Sequence, residues 1–331
     1  MSQIARNVFN ALNPFTQNQP VPTSGINRGM SSRYLTSMIG TAGAGKTVIA
    51  TLIFWVARTL QQQLPDFHCS IDDTNSTIKA DVCNMEAAHF PPKTQAYNSY
   101  AYQCALNMWW GKNSLWGAKN ATFQVVDLAG EDLATQSQYQ FKKPEAASQS
   151  AAQKLVDYIY NSEIFLLAAP ASRAPIFDGD EQVETEDSDV HSNPDVVLSS
   201  IFDEIVKKRM AVRRPIKGIG LCITKTDMVE VYLKKKYGWD LNQNPAHRVE
   251  FLNKYFPWTT MSLKGLTDTW SNTHIGIFPM FVETEKNVDG TEKKWESGYD
   301  KGHSKIAVVD RVPKCSSQSA VDIINFIGKL V

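Results

Sequence analysis

Gly40-Thr41-Ala42-Gly43-Ala44-Gly45-Lys46-Thr47 puts three glycines, two alanines, a lysine and two hydroxyl side chains into eight consecutive residues. Small side chains let successive backbone N–H groups converge on an anion, and a helix that follows adds the positive end of its dipole. The order G-x-x-x-x-G-K-[ST] suits the phosphates of a nucleoside triphosphate. Lys46 would reach the β- and γ-phosphates, and the Thr47 hydroxyl would ligate Mg²⁺. A glycine-rich turn without a ligand is the competing reading. The full match between an apolar strand and a long apolar helix, which begins at Thr47 and Val48, disfavours it.

Two further motifs follow in order. Asp127-Leu128-Ala129-Gly130 stands at the end of the strand-like run ATFQVV. There an aspartate can hold Mg²⁺ through water, and the Gly130 N–H can approach a γ-phosphate; an ATPase could use the same aspartate. Thr224-Lys225-Thr226-Asp227 follows the buried-strand pattern GIGLCI. Guanine presents two donors on one edge, its ring N1–H and its exocyclic amine, and one carboxylate can accept both. Adenine cannot reciprocate, and an unpaired buried acceptor costs roughly 1–3 kcal/mol. Lys225 can lay its aliphatic stem along the base.

With three motifs in this order, the chain resembles the Ras-like and translation-factor-like P-loop GTPases from Tyr34 to about Val282 and again in the final helix. The resemblance implies a three-layer α/β/α fold around a mostly parallel sheet, with nucleotide at the C-terminal strand ends. It also implies GTP or GDP as ligand, Mg²⁺ as cofactor, two switch loops, and a protein effector or activating partner. The nucleotide-binding set it implies is Gly40, Thr41, Ala42, Gly43, Ala44, Gly45, Lys46, Thr47, Val48, Thr224, Lys225 and Asp227. Thr47, Thr94 and Asp127 are the implied metal ligands. Lys46, Thr94, Gly130 and Glu131 are the implied catalytic group. Thr94 is the first-switch candidate because Phe90-Pro91-Pro92-Lys93-Thr94 precedes a strand; Thr74 and Thr77 are weaker rivals. The Pro-Pro-x-Thr form also resembles, faintly, that of bacterial double-GTPase-type proteins.

The chain departs from the family pattern at two places. Glu131 stands where the family carries a glutamine that orients water, and an ionised carboxylate cannot donate a hydrogen bond. Slow hydrolysis is the expectation, with a non-hydrolysing GTP-binding scaffold as the alternative and a P-loop ATPase as a weaker one. Glu283-Thr284-Glu285-Lys286 stands where the family has Ser-Ala-Lys. Arg173 is read as a surface or packing residue rather than an arginine finger.

Positioning these residues calls for alternating strands and helices. YLTSMIG (34–40), AYQCALNMWW (101–110), ATFQVVDLA (121–129), EIFLLAAP (163–170), IKGIGLCIT (216–224) and IGIFPMFVE (275–283) read as strands. The second and third read as a hairpin. Helices are expected from Thr47 to Gln63, about 146–161, about 194–210, and in the closing SAVDIINFIGKLV, whose Val321, Ile324 and Ile327 share a face. Residues 34–331 read as one elaborated domain. Insertions are expected near 64–93, 174–193 (strongly acidic) and 286–313, the last with an Asp289–Gly290 turn.

The composition is that of a soluble globular chain: 43% hydrophobic and 21% charged residues over 331 positions. A formal net charge of zero gives no global reason to expect nucleic acid or an anionic membrane as partner; only a local basic patch would. The five cysteines show no metal-ligand spacing and read as free thiols of a cytoplasmic protein. No apolar run approaches the roughly 20 residues of a membrane span. Residues 1–33 read as a leader in which Ile4, Val8, Phe9 and Leu12 share a helical face. Packing of that face on the chain's own domain, or a partly ordered tail, is expected ahead of contact with a partner or a membrane through residues 1–13.

Overall fold

The apolar runs lie side by side in one seven-stranded sheet. The computed structural model describes residues 34–40, 43–72, 77–92, 102–111, 119–127, 161–171, 193–298 and 300–331. In chain order the elements are β1 (Tyr34–Gly40), α1 (Lys46–Gln63), β2 (Phe67–Asp72), α2 (Thr77–Glu86), β3 (Tyr102–Trp110), β4 (Lys119–Asp127) and β5 (Ile164–Pro170). They continue as α3 (Pro194–Ala211), β6 (Gly218–Thr224), α4 (Asp227–Tyr237), α5 (Pro245–Tyr255), α6 (Pro257–Thr269) and β7 (His274–Met280). A two-residue pair, β8 (Val308–Val309) and β9 (Val312–Pro313), precedes the closing helix α7 (Ser317–Leu330). The helix expected at 146–161 and the acidic stretch at 174–193 fall almost wholly outside the described residues.

The sheet order is β2-β3-β4-β1-β5-β6-β7. From β4 to β7 all neighbours are parallel, whereas β3 is antiparallel to both β2 and β4. The β3–β4 pairing, Tyr102 opposite Asp127 and Trp110 opposite Lys119, is the expected hairpin. Because β1 pairs with β4 on one side and β5 on the other, the chain departs from it in both directions. In such sheets the crevice at the carboxyl ends of these strands is where ligands bind.

Helices cover both faces, which explains why the central strands read as unbroken apolar runs. Along β5, Ile164, Leu166 and Ala168 enter the core beneath α1, α2 and α7. Phe165, Leu167 and Ala169 enter the other core, beneath α3 to α6. On α7, Val321, Ile324 and Ile327 are all buried, as their spacing predicts. Fully burying side chains such as Phe54, Phe123 and Phe202 contributes about 1.5–3 kcal/mol each.

Residues 64–93 show no clear periodicity in the sequence, yet they hold β2 and α2. Strand β2 extends the sheet by pairing Phe67 with Trp110 and Asp72 with Ala105, and α2 buries Ile78 and Met85. Helices α4 and α6 carry no strong sequence signal either. Cys69, Cys83, Cys222 and Cys315 are free thiols. Burial pushes Cys69 up to about 11 and Cys222 and Cys315 up to about 12, so these three stay protonated at neutral pH. No described helix is long and apolar enough to cross a membrane.

One buried carboxylate locks two helices together. Asn193 caps α3 by accepting the Asp195 N–H at 3.0 Å. The Asp195 carboxylate then accepts the Trp258 and Thr259 N–H groups at 3.0 and 2.7 Å, in the first turn of α6. Helix α6 has no side-chain cap from its own flanking residue, so Asp195 supplies one from a distance. Asp195→Ala leaves two buried donors unpaired and is expected to cost about 2–3 kcal/mol. Urea unfolding measures it; an unchanged midpoint would remove the carboxylate from the account of how α3 and α6 are joined.

Candidate functional site

The phosphate loop begins where β1 meets β5. Gly40 pairs with Ala168, and a Cβ on Gly40 would lie 2.4 Å from the Ala168 carbonyl oxygen. Backbone cannot yield there, so only glycine lets the strand end flush against its neighbour. The loop then turns into α1 through Gly45, whose φ of +70° is strained for any side-chain-bearing residue. Helix α1 starts at Lys46 without a side-chain cap, so its first N–H groups remain directed to the loop. The Ile49 N–H returns to the Gly45 carbonyl at 2.9 Å and fixes the first turn.

Lys46 is buried, with 6% of its surface exposed, and its Nζ donates to the Gly40 carbonyl at 3.3 Å. The ammonium thus lies folded over the loop it belongs to. Thr47 sits one residue along α1, and its carbonyl accepts the Thr51 hydroxyl at 2.8 Å. Ala44 is fully buried and Gly43 exposed.

Asp127 ends β4. Tyr34 lies opposite Ala121 and Met38 opposite Val125, and the same offset brings Gly40 level with Asp127. The backbone of Asp127 therefore ends beside the phosphate loop. Thr41, Ala42, Thr94, Gly130 and Glu131 lie outside the described residues, as do Thr74, Asp132 and Arg173.

The Thr224–Asp227 motif stands at the same end of the sheet. Thr224 is the last residue of β6 and pairs with Pro170 on β5 and Met280 on β7. Its hydroxyl is buried with no hydrogen-bond partner among the described residues. Lys225 takes a left-handed backbone, φ +55°, which turns the chain sharply out of the strand. Thr226 is buried, and both its N–H and its hydroxyl donate to the Met280 carbonyl at 3.4 Å, tying the turn to β7. Asp227 opens α4.

Burial is the largest influence on the Asp227 carboxyl and raises its pKa above the ordinary carboxylate range. Backbone N–H groups of Asp227 and Met228 and the charge of Lys286 pull the other way, and Glu283 adds to the rise. The Glu283–Lys286 segment after β7 therefore sits within electrostatic reach of Asp227. The sequence offers that segment no family match, and its proximity comes from the sheet order alone.

A feature with no local sequence signal ties this end of the molecule to the α2 exit. Residues 281–316 leave β7 as an irregular ladder, with bridges Val282–Cys315, Thr284–Ile306, Lys286–Glu292 and Lys294–Ser304. The Asp289–Gly290 turn closes it, Gly290 N–H meeting the Asn287 carbonyl at 3.0 Å. Ile306, fully buried, donates its N–H to the Ala88 carbonyl at 2.9 Å. The His89 ring stacks on Trp295, centroids 4.0 Å apart, and its Nδ1 meets the Asp300 carboxylate. Lys305 Nζ lies over the same indole at 4.2 Å. The ladder thus holds His89, just ahead of the Pro91–Thr94 segment.

No protein-family model and no curated protein matches the chain. Among solved structures it is similar to the signal recognition particle receptor SRb-GTP/SRX complex from Chaetomium thermophilum, at 12% identity over 76% of this chain and 92% of the other, with a TM-score of 0.32. It is similar to nucleolar GTP-binding protein 1 from Plasmodium falciparum at 11% identity, 75% and 76% coverage, and a TM-score of 0.29. It is also similar to the S. cerevisiae Ski7 GTPase-like domain bound to GDP and inorganic phosphate, at 10% identity, 81% of this chain and 47% of the other, and a TM-score of 0.33. At those scores the likeness decides nothing about activity, and the functional reading rests on the geometry of the loops themselves.

The raised pKa of Asp227 has a consequence for stability. A folded state that holds a proton more tightly than the unfolded chain is stabilised at low pH, and that stability is lost as pH rises through the raised value. At neutral pH the ionised carboxylate is therefore a net cost to the ligand-free fold. Asp227→Asn keeps an acceptor for the two N–H groups and removes the charge. Ligand-free Asp227→Asn is expected to melt above the parent chain at neutral pH, with the gap closing on acidification. A lower melting temperature at neutral pH would contradict the burial argument.

Proposed function

We propose that the chain binds GTP with Mg²⁺ and hydrolyses it slowly to GDP and phosphate, acting as a switch. One observation carries this reading: a phosphate loop with a buried lysine and a half-buried aspartate at the head of α4 stand at the same carboxyl end of one parallel sheet. The first chemistry fits a triphosphate and the second a guanine edge. Between them, the unpaired Thr224 hydroxyl offers a buried polar atom to a ligand.

In this reading the N–H groups from Gly43 to Val48 surround the β- and γ-phosphates, and Lys46 transfers from the Gly40 carbonyl to phosphate oxygens. Asp227 accepts the two guanine donors while Lys225 covers the base. The Thr47 hydroxyl and the Asp127 carboxylate form a hard oxygen set, suited to Mg²⁺, which when bound neutralises phosphate charge. Thr94 and Gly130 would close on the γ-phosphate and release when it is lost. Glu131 would stand near the attacking water as an acceptor alone, which slows the reaction without a partner. A protein effector or activating partner belongs to the same reading, with residues 34–331 acting as one domain behind the 1–33 leader. The second reading, a GTP-binding scaffold without turnover, is favoured by Glu131.

Fluorescent GTP and ATP titrations in Mg²⁺, followed by phosphate release, separate the readings. Preference for GTP with slow turnover is expected. Lys46→Ala is expected to weaken GTP binding about 10- to 100-fold, the worth of one or two charge-assisted hydrogen bonds. Glu131→Gln is expected to speed single-turnover hydrolysis, and a faster parent chain would sink the slow-hydrolysis claim. GTP binding without release of phosphate would establish the scaffold, and ATP preference would end both readings.

A further inference from the structure

Residues 207–217, Lys-Lys-Arg-Met-Ala-Val-Arg-Arg-Pro-Ile-Lys, hold six cations and no carboxylate in a chain whose net charge is zero. They form the last turn of α3 and its connection to β6. Helix electrostatics account for part of the run, since cations favour a helix C-terminus. Lys208 pairs with Glu204 at 3.0 Å. Arg209, with 1% of its surface exposed, donates from Nε to the Arg214 carbonyl at 3.0 Å and from Nη2 to the Pro215 carbonyl at 2.8 Å.

The remainder is not explained by the helix. Arg213 and Arg214 lie beyond it, exposed, and form no ion pair with a described carboxylate. The turn carrying them is fixed by the buried Arg209 guanidinium, by Arg213 N–H to the Met210 carbonyl at 3.0 Å, and by Arg214 N–H to the Arg209 carbonyl at 3.1 Å. Arg213 is held in a left-handed conformation, φ +52°. A fully buried arginine thus shapes a strained turn whose outward residues are two arginines and two apolar side chains, Met210 (53% exposed) and Val212 (40% exposed).

The neighbourhood has the same character. Lys217 lies with its Nζ 3.7 Å from the centre of the Tyr34 ring, the first described residue of β1. The His274 N–H reaches the Lys217 carbonyl at 2.9 Å, placing exposed Ile275 on the same edge. Glu163, just ahead of β5, accepts the Leu35 N–H at 3.0 Å.

We propose that this edge, centred on the Met210–Arg214 turn, docks on a lipid bilayer with anionic headgroups. Cations interleaved with exposed apolar side chains suit a headgroup layer, which receives the charges at its surface and the methionine and valine beneath it. A nucleic-acid backbone would use the arginines and leave Met210 and Val212 in water. The docking edge lies at the amino ends of the parallel strands, whereas the phosphate loop lies at their carboxyl ends, about 20 Å away along a seven-residue strand. The nucleotide face stays open to solution, and the proposal stands whether or not that face binds GTP.

The test is sedimentation of the full chain with vesicles of phosphatidylcholine alone and of phosphatidylcholine mixed with phosphatidylserine. Binding to the mixed vesicles, weakening with added salt, is expected. The double variant Arg213→Glu/Arg214→Glu is expected to lower partition at least about 25-fold, taking about fivefold per lost cation. The double variant Met210→Ser/Val212→Ser is expected to lower it about tenfold while keeping the salt dependence. Melting temperatures of both variants report folding independently of any nucleotide. Equal binding to the two vesicle types, or full binding by both variants, overturns the proposal. So does binding of a short DNA or RNA duplex by a chain that leaves the vesicles in solution.

Discussion

The contact between Gly40 and Ala168 sets the position of everything at the carboxyl end of the sheet. Strand β1 is enclosed by β4 and β5 at its sides and by helices above and below. Its last residue meets the neighbouring backbone at a distance no Cβ tolerates. That close approach fixes where the strand stops, hence where the loop turns, hence where Lys46 and the first turn of α1 stand. Asp127 on one flank and Thr224 on the other are placed by strand register, not by contacts of their own. The geometry of the site is thus inherited from the packing of four strands, β4, β1, β5 and β6.

Two charged groups at this end, Lys46 buried and Asp227 half-buried, are held differently. Lys46 donates to the carbonyl of Gly40 in its own loop. Asp227 sits at the head of α4, supported by two N–H groups, yet burial still outweighs that support. The fold therefore carries an electrostatic load at the head of α4. Sites are commonly built this way, with local strain tolerated because the surrounding elements are over-determined.

Much of this was legible in the sequence. The central strands declare themselves because both their faces are covered, which removes polar positions from them. The phosphate loop and the Thr224–Asp227 motif are legible because their chemistry needs consecutive residues. What escaped notice depends on partners far along the chain. Strand β2 is an edge strand of mixed polarity, Phe-His-Cys-Ser-Ile-Asp, whose pairing with β3 no local pattern announces. Helix α4 buries little beyond Val229 and Leu233 beneath a polar surface. Asn244–Pro245 is a good start signal for α5, but α6 borrows its cap from Asp195, 63 residues away. The same holds for the Arg209 turn: its basic composition is visible, and the burial that shapes it is not.

The ladder of residues 281–316 bears on the order in which the chain folds. His89 and Asp300 are 211 residues apart, and their meeting requires β3 to β7 to be in register first. Contacts of such long sequence separation bear a large closure entropy and form after the local ones. The α2 exit thus acquires its final neighbours last, when β7 has joined the sheet and α7 has packed beneath it. A chain emerging from synthesis would have its phosphate loop formed while the segment after His89 still lacked its anchor. Completion of the C-terminal third then becomes the event that finishes the carboxyl end of the sheet.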